Sequence, residues 1–338
     1  MNNKFFERMK ELTLFHKEHC PEYGKMLNGL GTDIQAVDKL EDIPFLPARL
    51  FKAMDLKSIP EEKVFKIMYS SGTTGHPSKI YLDRENALAQ QIALSHVVES
   101  YIGKGRRPML IIDSEDVLKD RKKFSARGAG ILGFSIFATK TRYALDKEMN
   151  LNKNAISEFL KIVGDKDFLV FGFTSVIWQY LVQVLEKEGI KLPFEKGSLI
   201  HGGGWKKLAD QAVDEKEFAR RIEKNTGIRK IMNYYGMVEQ TGSIYLTCEE
   251  GHYHISPYSE IIIRRPEDLS VADIGETGLI QVMSTLPTAY PGHSILTEDL
   301  GMIDLEKDCP CGRQGRTFRI IGRVKGSEIR GCSDAYGG

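Results

Sequence analysis

The chain has 338 residues, enough for one large domain or two ordinary ones with a buried core. Hydrophobic residues make up 41% and charged residues 28%, which excludes a disordered chain. Lysine and arginine number 47 against 46 acidic residues, so the net charge of +1 gives no argument for a nucleic-acid or anionic-membrane partner. We see no signal peptide and no apolar run of membrane-span length, and five cysteines are too few for a disulfide framework. We therefore expect a cytoplasmic protein with reduced thiols.

Strand and helix patterns alternate through most of the chain. Apolar residues at helical spacing begin within the first twenty residues. Strand-like runs follow at 64–69, 109–112, 168–173, 199–200 and 230–233. Helical patterns lie between them, one capped by Asp83 with Leu88, Ile92, Val98 and Tyr101 at its apolar positions, one ending at Gly189 and one ending near Gly227. This alternation predicts an α/β fold with a mostly parallel sheet covered by helices.

After about residue 243 the pattern changes to strands and turns, with strands expected at 244–247, 259–264 and 278–284. This change predicts a small strand-rich unit, mainly antiparallel, attached to the α/β body. We divide the chain into an α/β body at 1–242, a strand-rich subdomain at 243–322 and a tail at 323–338.

The strongest single motif is a stretch of small hydroxyl and glycine residues between Tyr69 and Lys79. Small residues allow consecutive backbone N–H groups to point at one anion, and the hydroxyls supply further donors. No Gly-Lys-Ser/Thr follows at the spacing of a Walker loop. A plain Ser/Gly turn between two strands is the alternative, and we favour phosphate binding over it.

This stretch resembles the phosphate loop of the adenylate-forming superfamily, which includes acyl- and aryl-CoA ligases. Three later segments resemble superfamily motifs in the same order: the Tyr-Gly-x-Thr-Glu motif at 233–242, the Gly-Asp-Leu-Gly segment at 297–301 and the hinge at 322–326. Four ordered matches spanning residues 69–326 are more specific than any one of them alone.

The resemblance implies a set of ATP-binding residues and one residue that binds Mg²⁺. Glu239 is the expected magnesium ligand and catalytic carboxylate, Asp299 the acceptor for the ribose hydroxyls, and Tyr235 the adenine contact. Val238 departs from the family, since it stands where a threonine or serine usually contacts the α-phosphate; we expect Thr241 or the phosphate loop to compensate. The implied nucleotide-binding residues are Ser70, Ser71, Gly72, Thr73, Thr74, Gly75, Lys79, Gly202, Gly203, Gly204, Tyr235, Gly236, Asp299 and Arg323. Taken singly, Asp299 and Arg323 could instead be surface ion-pair residues.

Full-length superfamily members carry a lid domain after the hinge, and too few residues follow Gly322 for such a domain. The tail around Cys332 resembles that of the LuxE-type acyl-protein synthetases, in which a cysteine near the carboxyl terminus takes the acyl group from AMP as a thioester. That resemblance makes Cys332 the expected acceptor and implies acyl reductase and acyl-transferase or thioesterase partners. Arg330 nearby favours the thiolate form. An incidental thiol at the chain terminus is the alternative.

A possible metal site lies in the strand-rich region. Cys309 and Cys311 are one residue apart, and Cys248 and His254, with His252 as the alternative histidine, precede them in the same region. Three thiols and an imidazole form a tetrahedral structural zinc set, although Cys-x-Cys is a less specific spacing than Cys-x₂-Cys. Buried reduced thiols are the alternative. Outside these motifs, His201 is either a contact of the substrate carboxylate or a core histidine.

The sequence thus predicts ATP-dependent activation of a carboxylic acid, fatty in the first interpretation, as an acyl-adenylate, followed by transfer to Cys332 and then to a partner. An acyl- or aryl-CoA ligase that uses free coenzyme A is the second interpretation. A non-catalytic adenylate-binding subunit is the third, because Val238 and the missing lid both weaken the catalytic interpretation.

Overall fold

The computed structural model describes residues 3–70, 77–118 and 126–324. Contacts divide these residues into two compact units. The first unit contains the described residues of 3–97, 236–245 and 252–324, and the second contains those of 98–235 and 246–251. The division at residues 242 and 322 that the sequence suggested stays a prediction.

Among the α-helices of the described residues, three begin after a residue whose side chain accepts a hydrogen bond from the first turn, namely Asp83, Asn152 and Asp214. The bounds of the helices are α1 (Asn3–His19), α2 (Pro21–Leu30), α3 (Leu50–Ala53), α4 (Arg84–Ile102), α5 (Ala126–Phe134), α6 (Lys153–Val163), α7 (Thr174–Ile177), α8 (Gln183–Glu188) and α9 (Glu215–Thr226). A short π-helix at Trp178–Val182 joins α7 to α8. Asp83 Oδ1 accepts a hydrogen bond from the Asn86 N–H at the start of α4, which confirms the predicted cap. Gly189 and Gly227 end α8 and α9 in the left-handed conformation, as predicted.

The strands, in chain order, are β1 (Leu46–Pro47), β2 (Lys66–Tyr69), β3 (Lys79–Leu82), β4 (Arg107–Ser114), β5 (Ala138–Leu145), β6 (Phe168–Phe173), β7 (Gly197–Gly202), β8 (Lys230–Tyr235), β9 (Tyr245–Thr247), β10 (Tyr253–His254), β11 (Ser259–Arg264), β12 (Gly278–Ser284), β13 (Ser294–Leu305) and β14 (Thr317–Arg323). The mixed α/β fold class predicted from the sequence is confirmed by this arrangement.

The second unit contains a parallel sheet in the order β5-β4-β6-β7-β8. Its strand β6, predicted as a strand, is buried along its whole length, which is typical of a central strand in a parallel sheet. Helix α6 buries Ile156, Phe159 and Val163 in the core next to this sheet. Because parallel strands end at one edge, this sheet gathers their carboxyl ends, where α/β folds usually bind ligands.

The first unit contains antiparallel strands in the order β11-β12-β13-β14-β10, with β1 parallel to β13. Strands β2 and β3 form a separate antiparallel hairpin. Met9 of α1 packs in one core cluster with Ile262 of β11 and Met283 of β12. The strand-rich region expected after residue 243 is therefore present in this unit.

One detail of the predicted helix after Asp83 is wrong. Leu88 and Ile92 were assigned to its buried face, yet they are 58% and 45% exposed. Val98 and Tyr101 are buried as predicted. Residues four apart share a helix face, and here the buried face passes instead through Asn86, Gln90 and Ala93. Among the helices of the described ranges, none combines the length and apolarity needed to cross a membrane.

Two stacked histidines lie in the interior of the first unit. The rings of His16 and His293 are 5.1 Å apart, His16 Nδ1 is 2.7 Å from Ser58 Oγ, and His293 Nε2 is 2.9 Å from Thr13 Oγ1. Burial lowers the pKa of His16 to about 4 and holds the pKa of His293 well below its usual value. Both rings are therefore neutral in the folded protein at pH 7.

We expect this pair to make the protein sensitive to mild acid. An unfolded histidine ionises near pH 6.5, so below that pH the unfolded chain binds protons that the folded chain does not bind. The free energy of unfolding should therefore fall as the pH drops from 6.5 toward 4, by about 2 kcal/mol for His16 alone at pH 5. Urea unfolding at several pH values measures this slope. His16→Gln should flatten it, and the exposed His19→Gln on the same helix should leave it as in the wild type; equal slopes in all three proteins would contradict the assignment.

Candidate active site

The phosphate-loop sequence connects the two strands of the β2–β3 hairpin. Tyr69 pairs with Lys79, and beyond this pair the Ser70 N–H donates to the Ser78 carbonyl at 3.1 Å. The Ser78 N–H returns a hydrogen bond to Ser70 Oγ at 2.8 Å. The hairpin thus holds both ends of the loop together. The predicted phosphate contacts Ser71, Gly72, Thr73, Thr74 and Gly75 lie outside the described residues. Lys79 Nζ is 3.2 Å from Asp55 Oδ1.

The predicted catalytic carboxylate, Glu239, lies directly at the end of this hairpin. Ser78 Oγ donates to Glu239 Oε1 at 2.7 Å, and the two residues are 0% and 1% exposed. The Tyr290 hydroxyl donates to the Glu239 carbonyl at 2.9 Å. The Gln240 side-chain amide donates to the carbonyls of Val282 and Gly292 at 3.0 and 2.9 Å. These bonds fix the backbone around Glu239, so its carboxylate is oriented before any ligand binds.

Ser78 is a site residue that the sequence did not single out. Nothing in the local pattern of Pro77-Ser78-Lys79 distinguishes it from other loop hydroxyls, because its partner Glu239 is 161 residues away. The structure thereby joins the end of the phosphate loop to the Tyr-Gly-x-Thr-Glu-like segment.

Thr241, expected as one possible replacement for the hydroxyl missing at Val238, makes a local bond instead. Its Oγ1 donates to the Val238 carbonyl at 2.9 Å and lies 3.7 Å from Met68 Sδ. A phosphate contact would compete with that bond. Thr241 and the phosphate loop were the two predicted replacements for the hydroxyl that Val238 lacks. The loop hydroxyls at 71–74 are therefore the simpler prediction.

The predicted ribose contact Asp299 and the predicted nucleotide-binding residue Arg323, expected at the ribose or a phosphate, face each other across strands β13 and β14. Arg323 Nε is 3.8 Å from Asp299 Oδ1, and its Nη2 donates to Glu298 Oε2 at 2.8 Å. Glu298 is also paired with Arg49, and its backbone carbonyl accepts from the Val324 N–H at 3.0 Å. Glu298, which is the nearer carboxylate partner of Arg323, was not among the predicted site residues. The guanidinium thus lies between two half-buried carboxylates, which sets its direction.

In the second unit, Gly202–Gly204 and Tyr235 lie at the carboxyl edge of the parallel sheet, at the ends of β7 and β8. A Cβ on Gly202 would lie 2.4 Å from the Tyr234 ring and clash with it. Packing against this ring therefore explains the glycine without a ligand. Gly203 has a φ of +78°, which favours glycine, and Gly204 has open space around it. Gly236 begins the next segment of the first unit. Contacts of these residues with a nucleotide stay predictions.

The same edge carries two further buried polar groups. His201 is fully buried, its Nδ1 is 3.0 Å from Thr174 Oγ1, and burial lowers its pKa to about 3. It is therefore a neutral core histidine and not a contact of the substrate carboxylate, which were the two interpretations of His201 from the sequence.

The other buried polar group at this edge is an ion pair. Arg127 of α5 is 2.9 Å from Asp113 at the end of β4, and burial raises the pKa of Asp113 to about 6. No pattern in the sequence indicated this ion pair.

The possible metal ligands of the first unit converge. Ligand atoms of His254, Cys309 and Cys311 lie within 4.8 Å of one another. Cys248 is buried and belongs to residues 246–251 of the second unit, and its part in metal binding stays a prediction. The predicted acyl acceptor Cys332, with Arg330, lies outside the described residues.

Comparison with solved structures identifies the class of this fold. The chain superimposes on 2-hydroxyisobutyryl-CoA ligase in an open conformation, in complex with 2-HIB-AMP and CoA, with a TM-score of 0.72 at 15% identity. The match covers 95% of this chain and 69% of that one. A second state of the same ligase, the postadenylation state, gives a TM-score of 0.70. The chain therefore has the fold of the adenylate-forming ligases.

Within that class, the family model "Acyl-protein synthetase, LuxE" matches residues 2–337, and the chain belongs to this family. Among curated relatives, the chain is 25% identical to the long-chain-fatty-acid–luciferin-component ligase of Vibrio harveyi, covering 94% of this chain and 83% of the relative. It is 29% identical to the phenylacetate–coenzyme A ligase of Thermus thermophilus, covering 94% of this chain and 69% of the relative. The family resemblance drawn from the motifs is confirmed.

Proposed function

We propose that this chain uses ATP to activate a long-chain fatty acid as an acyl-adenylate, then carries the acyl group on Cys332 to an acyl reductase. The family and the fold support the first half of this proposal, ligation of an acid at the expense of ATP. The fatty substrate is supported by the names of two relatives, the long-chain-fatty-acid–luciferin-component ligases of Vibrio harveyi and Aliivibrio fischeri. We extend the proposal to the second half: the acyl group passes to a cysteine and then to an acyl reductase. An acyl-transferase or thioesterase would be a further partner.

The observation that carries the proposal is the buried contact between Ser78 and Glu239. It places an oriented carboxylate at the end of a loop rich in hydroxyl and amide donors, the combination needed beside a metal–triphosphate. Carboxylate oxygens are hard ligands that fit Mg²⁺, and when bound the ion neutralises phosphate charge. Glu239 would hold that ion, and Ser78 would keep the carboxylate aimed toward the loop.

The chemistry requires positioning and charge neutralisation from the chain itself. A carboxylate oxygen of the fatty acid attacks the α-phosphorus, a P–O bond forms, and the bond to pyrophosphate breaks. We assign the ribose hydroxyls to Asp299, with Arg323 setting the direction of that carboxylate through the contact across β13 and β14. In the second step the thiolate of Cys332 attacks the acyl carbonyl, a C–S bond forms, and AMP leaves with the electron pair of the C–O bond.

Fatty-acid-dependent exchange of labelled pyrophosphate into ATP tests the first step. We expect exchange with magnesium and a long-chain fatty acid, and none when either is omitted. Labelled fatty acid with ATP should then give a protein-bound label that neutral hydroxylamine removes, since hydroxylamine cleaves thioesters. Absence of exchange with fatty, short-chain and aromatic acids alike would contradict the proposal and favour a non-catalytic adenylate-binding subunit.

A second candidate function is acyl- or aryl-CoA ligation, favoured by the 29% identity to the phenylacetate–coenzyme A ligase of Thermus thermophilus. The two candidates differ in the final thiol. Adding coenzyme A to the exchange mixture separates them: rapid formation of acyl-CoA without a labelled protein favours the CoA ligase. A labelled protein whose acyl group is not chased by coenzyme A favours the acyl-protein synthetase.

A further inference from the structure

Two thiols and one imidazole meet in the first unit, away from the residues assigned to the nucleotide. Cys309 and Cys311 lie in the connection between β13 and β14, and His254 ends strand β10. Cys311 Sγ is 3.3 Å from His254 Nε2. Sulfur and nitrogen ligands of one tetrahedral zinc ion are about 3.5 Å apart, because Zn–S is about 2.3 Å and Zn–N about 2.0 Å. The observed spacing is close to that value.

The local backbone suits metal-bound thiolates. The Gly312 N–H donates to the Cys309 carbonyl at 2.9 Å and closes a turn, and Gly312 has a φ of +81°. The Arg313 N–H then donates to Cys311 Sγ at 3.4 Å. Backbone N–H donation to sulfur favours the negatively charged thiolate and is a common second layer around metal-bound cysteines. The turn therefore presents two sulfurs on one side.

The imidazole is held from the other side by strand pairing. His254 pairs with Thr317, and its neighbour Tyr253 pairs with Phe318, so β10 is fixed against β14. His254 is 7% exposed and Cys309 is 4% exposed. None of the four cysteines in the described ranges forms a disulfide. Soft sulfur with imidazole nitrogen in a shielded site selects zinc over magnesium or calcium.

The cluster lies at the opposite end of the β13–β14 hairpin from Asp299 and Arg323. The register pairs Asp299 with Arg323 at one end and Leu305 with Thr317 at the other. At about 3.3 Å per residue, the run from 317 to 323 separates the two ends by roughly 20 Å. A metal at the cluster would therefore stabilise the hairpin rather than contact the reacting atoms.

We propose that His254, Cys309 and Cys311 bind one structural zinc ion that fixes the β13–β14 connection to β10. Zinc takes four ligands, and the sequence predicts Cys248 as the fourth. The ion would stabilise the strands that carry Asp299 and Arg323 without taking part in acid activation. This inference does not depend on the proposed enzymatic activity.

Metal analysis of the whole chain, purified without metal-affinity resin and without added metal, tests the proposal. We expect about one zinc per chain in the wild type, as in a closed structural site. Cys311→Ser and His254→Gln should each lower the zinc content several-fold. Cys20→Ser, a buried cysteine of the same unit outside the cluster, is the matched control and should retain the wild-type content.

A second measurement covers the case in which the cluster variants do not fold. Wild-type chain produced with cobalt in place of zinc should show thiolate-to-cobalt absorption in the near ultraviolet and visible bands typical of tetrahedral cobalt. A wild-type chain without bound metal, in which Cys309 and Cys311 either react fully with a thiol reagent or are joined in a disulfide, would overturn the proposal. Acylation of Cys311 in a metal-free chain would overturn it as well, because the cysteine–histidine pair would then be an acyl acceptor.

Discussion

Replacing Glu239 with glutamine is expected to lower fatty-acid-dependent ATP–pyrophosphate exchange by roughly 10²- to 10³-fold, the usual loss when one oriented electrostatic group is removed from a reacting centre. The loss is expected because the magnesium ion that Glu239 would bind is no longer held beside the phosphates. Glutamine keeps the shape of the side chain and can still accept the 2.7 Å hydrogen bond from Ser78. It removes only the negative charge that would bind magnesium. Loss of exchange would therefore report on charge rather than on folding.

Two controls make this result specific. Glu267→Gln changes an exposed glutamate of the same unit and should leave exchange at the wild-type rate. Ser78→Ala keeps the carboxylate but removes the hydroxyl that orients it, so we expect a smaller loss, about tenfold, seen mainly in kcat. Circular dichroism melting of each variant shows whether the fold is retained. Wild-type exchange in a folded Glu239→Gln protein would refute the role of this carboxylate.

Local sequence pattern was sufficient for most of the α/β body. Strand β6 was predicted correctly because it is an unbroken apolar run, and the ends of helices α8 and α9 were predicted correctly because a glycine follows each of them. Helix α5 and strand β5 were not predicted. Helix α5 contains Gly128, Gly130 and Gly133, which lower helix propensity, and Gly130 is required because a Cβ would lie 2.8 Å from the Phe173 ring. A helix that forms through tertiary packing leaves little signal in its own sequence.

Residues of the candidate site could be predicted where they belong to a sequence motif. A residue whose role depends on a partner far along the chain could not be predicted. The motif pattern identified Glu239, Asp299 and Arg323. Ser78 and Glu298 were missed, because each is defined by a side chain far along the sequence, Glu239 for one and Arg323 for the other. Asp113 and Arg127 were missed for the same reason: an ion pair buried at a strand end has no fixed spacing.

Replacing Cys332 is expected to separate the two half-reactions. In Cys332→Ala, the hydroxylamine-sensitive label from fatty acid and ATP should disappear, because no thiolate remains to attack the acyl carbonyl. ATP–pyrophosphate exchange should stay within about twofold of the wild type, since formation of the adenylate needs only Glu239 and the nucleotide-binding residues. Labelling followed by peptide mapping, together with the exchange assay, measures both steps on the same preparation.

Cysteine-to-serine variants sharpen the assignment. Cys332→Ser offers a weaker nucleophile, and any ester that it forms would resist neutral hydroxylamine, so a label of changed stability at the same peptide would identify residue 332 as the acceptor. Cys20→Ser should keep the wild-type label. A hydroxylamine-sensitive label that persists in Cys332→Ala would transfer the acceptor role to another thiol. Loss of exchange together with the label, in a protein that melts as the wild type does, would instead mean that the tail takes part in adenylation itself.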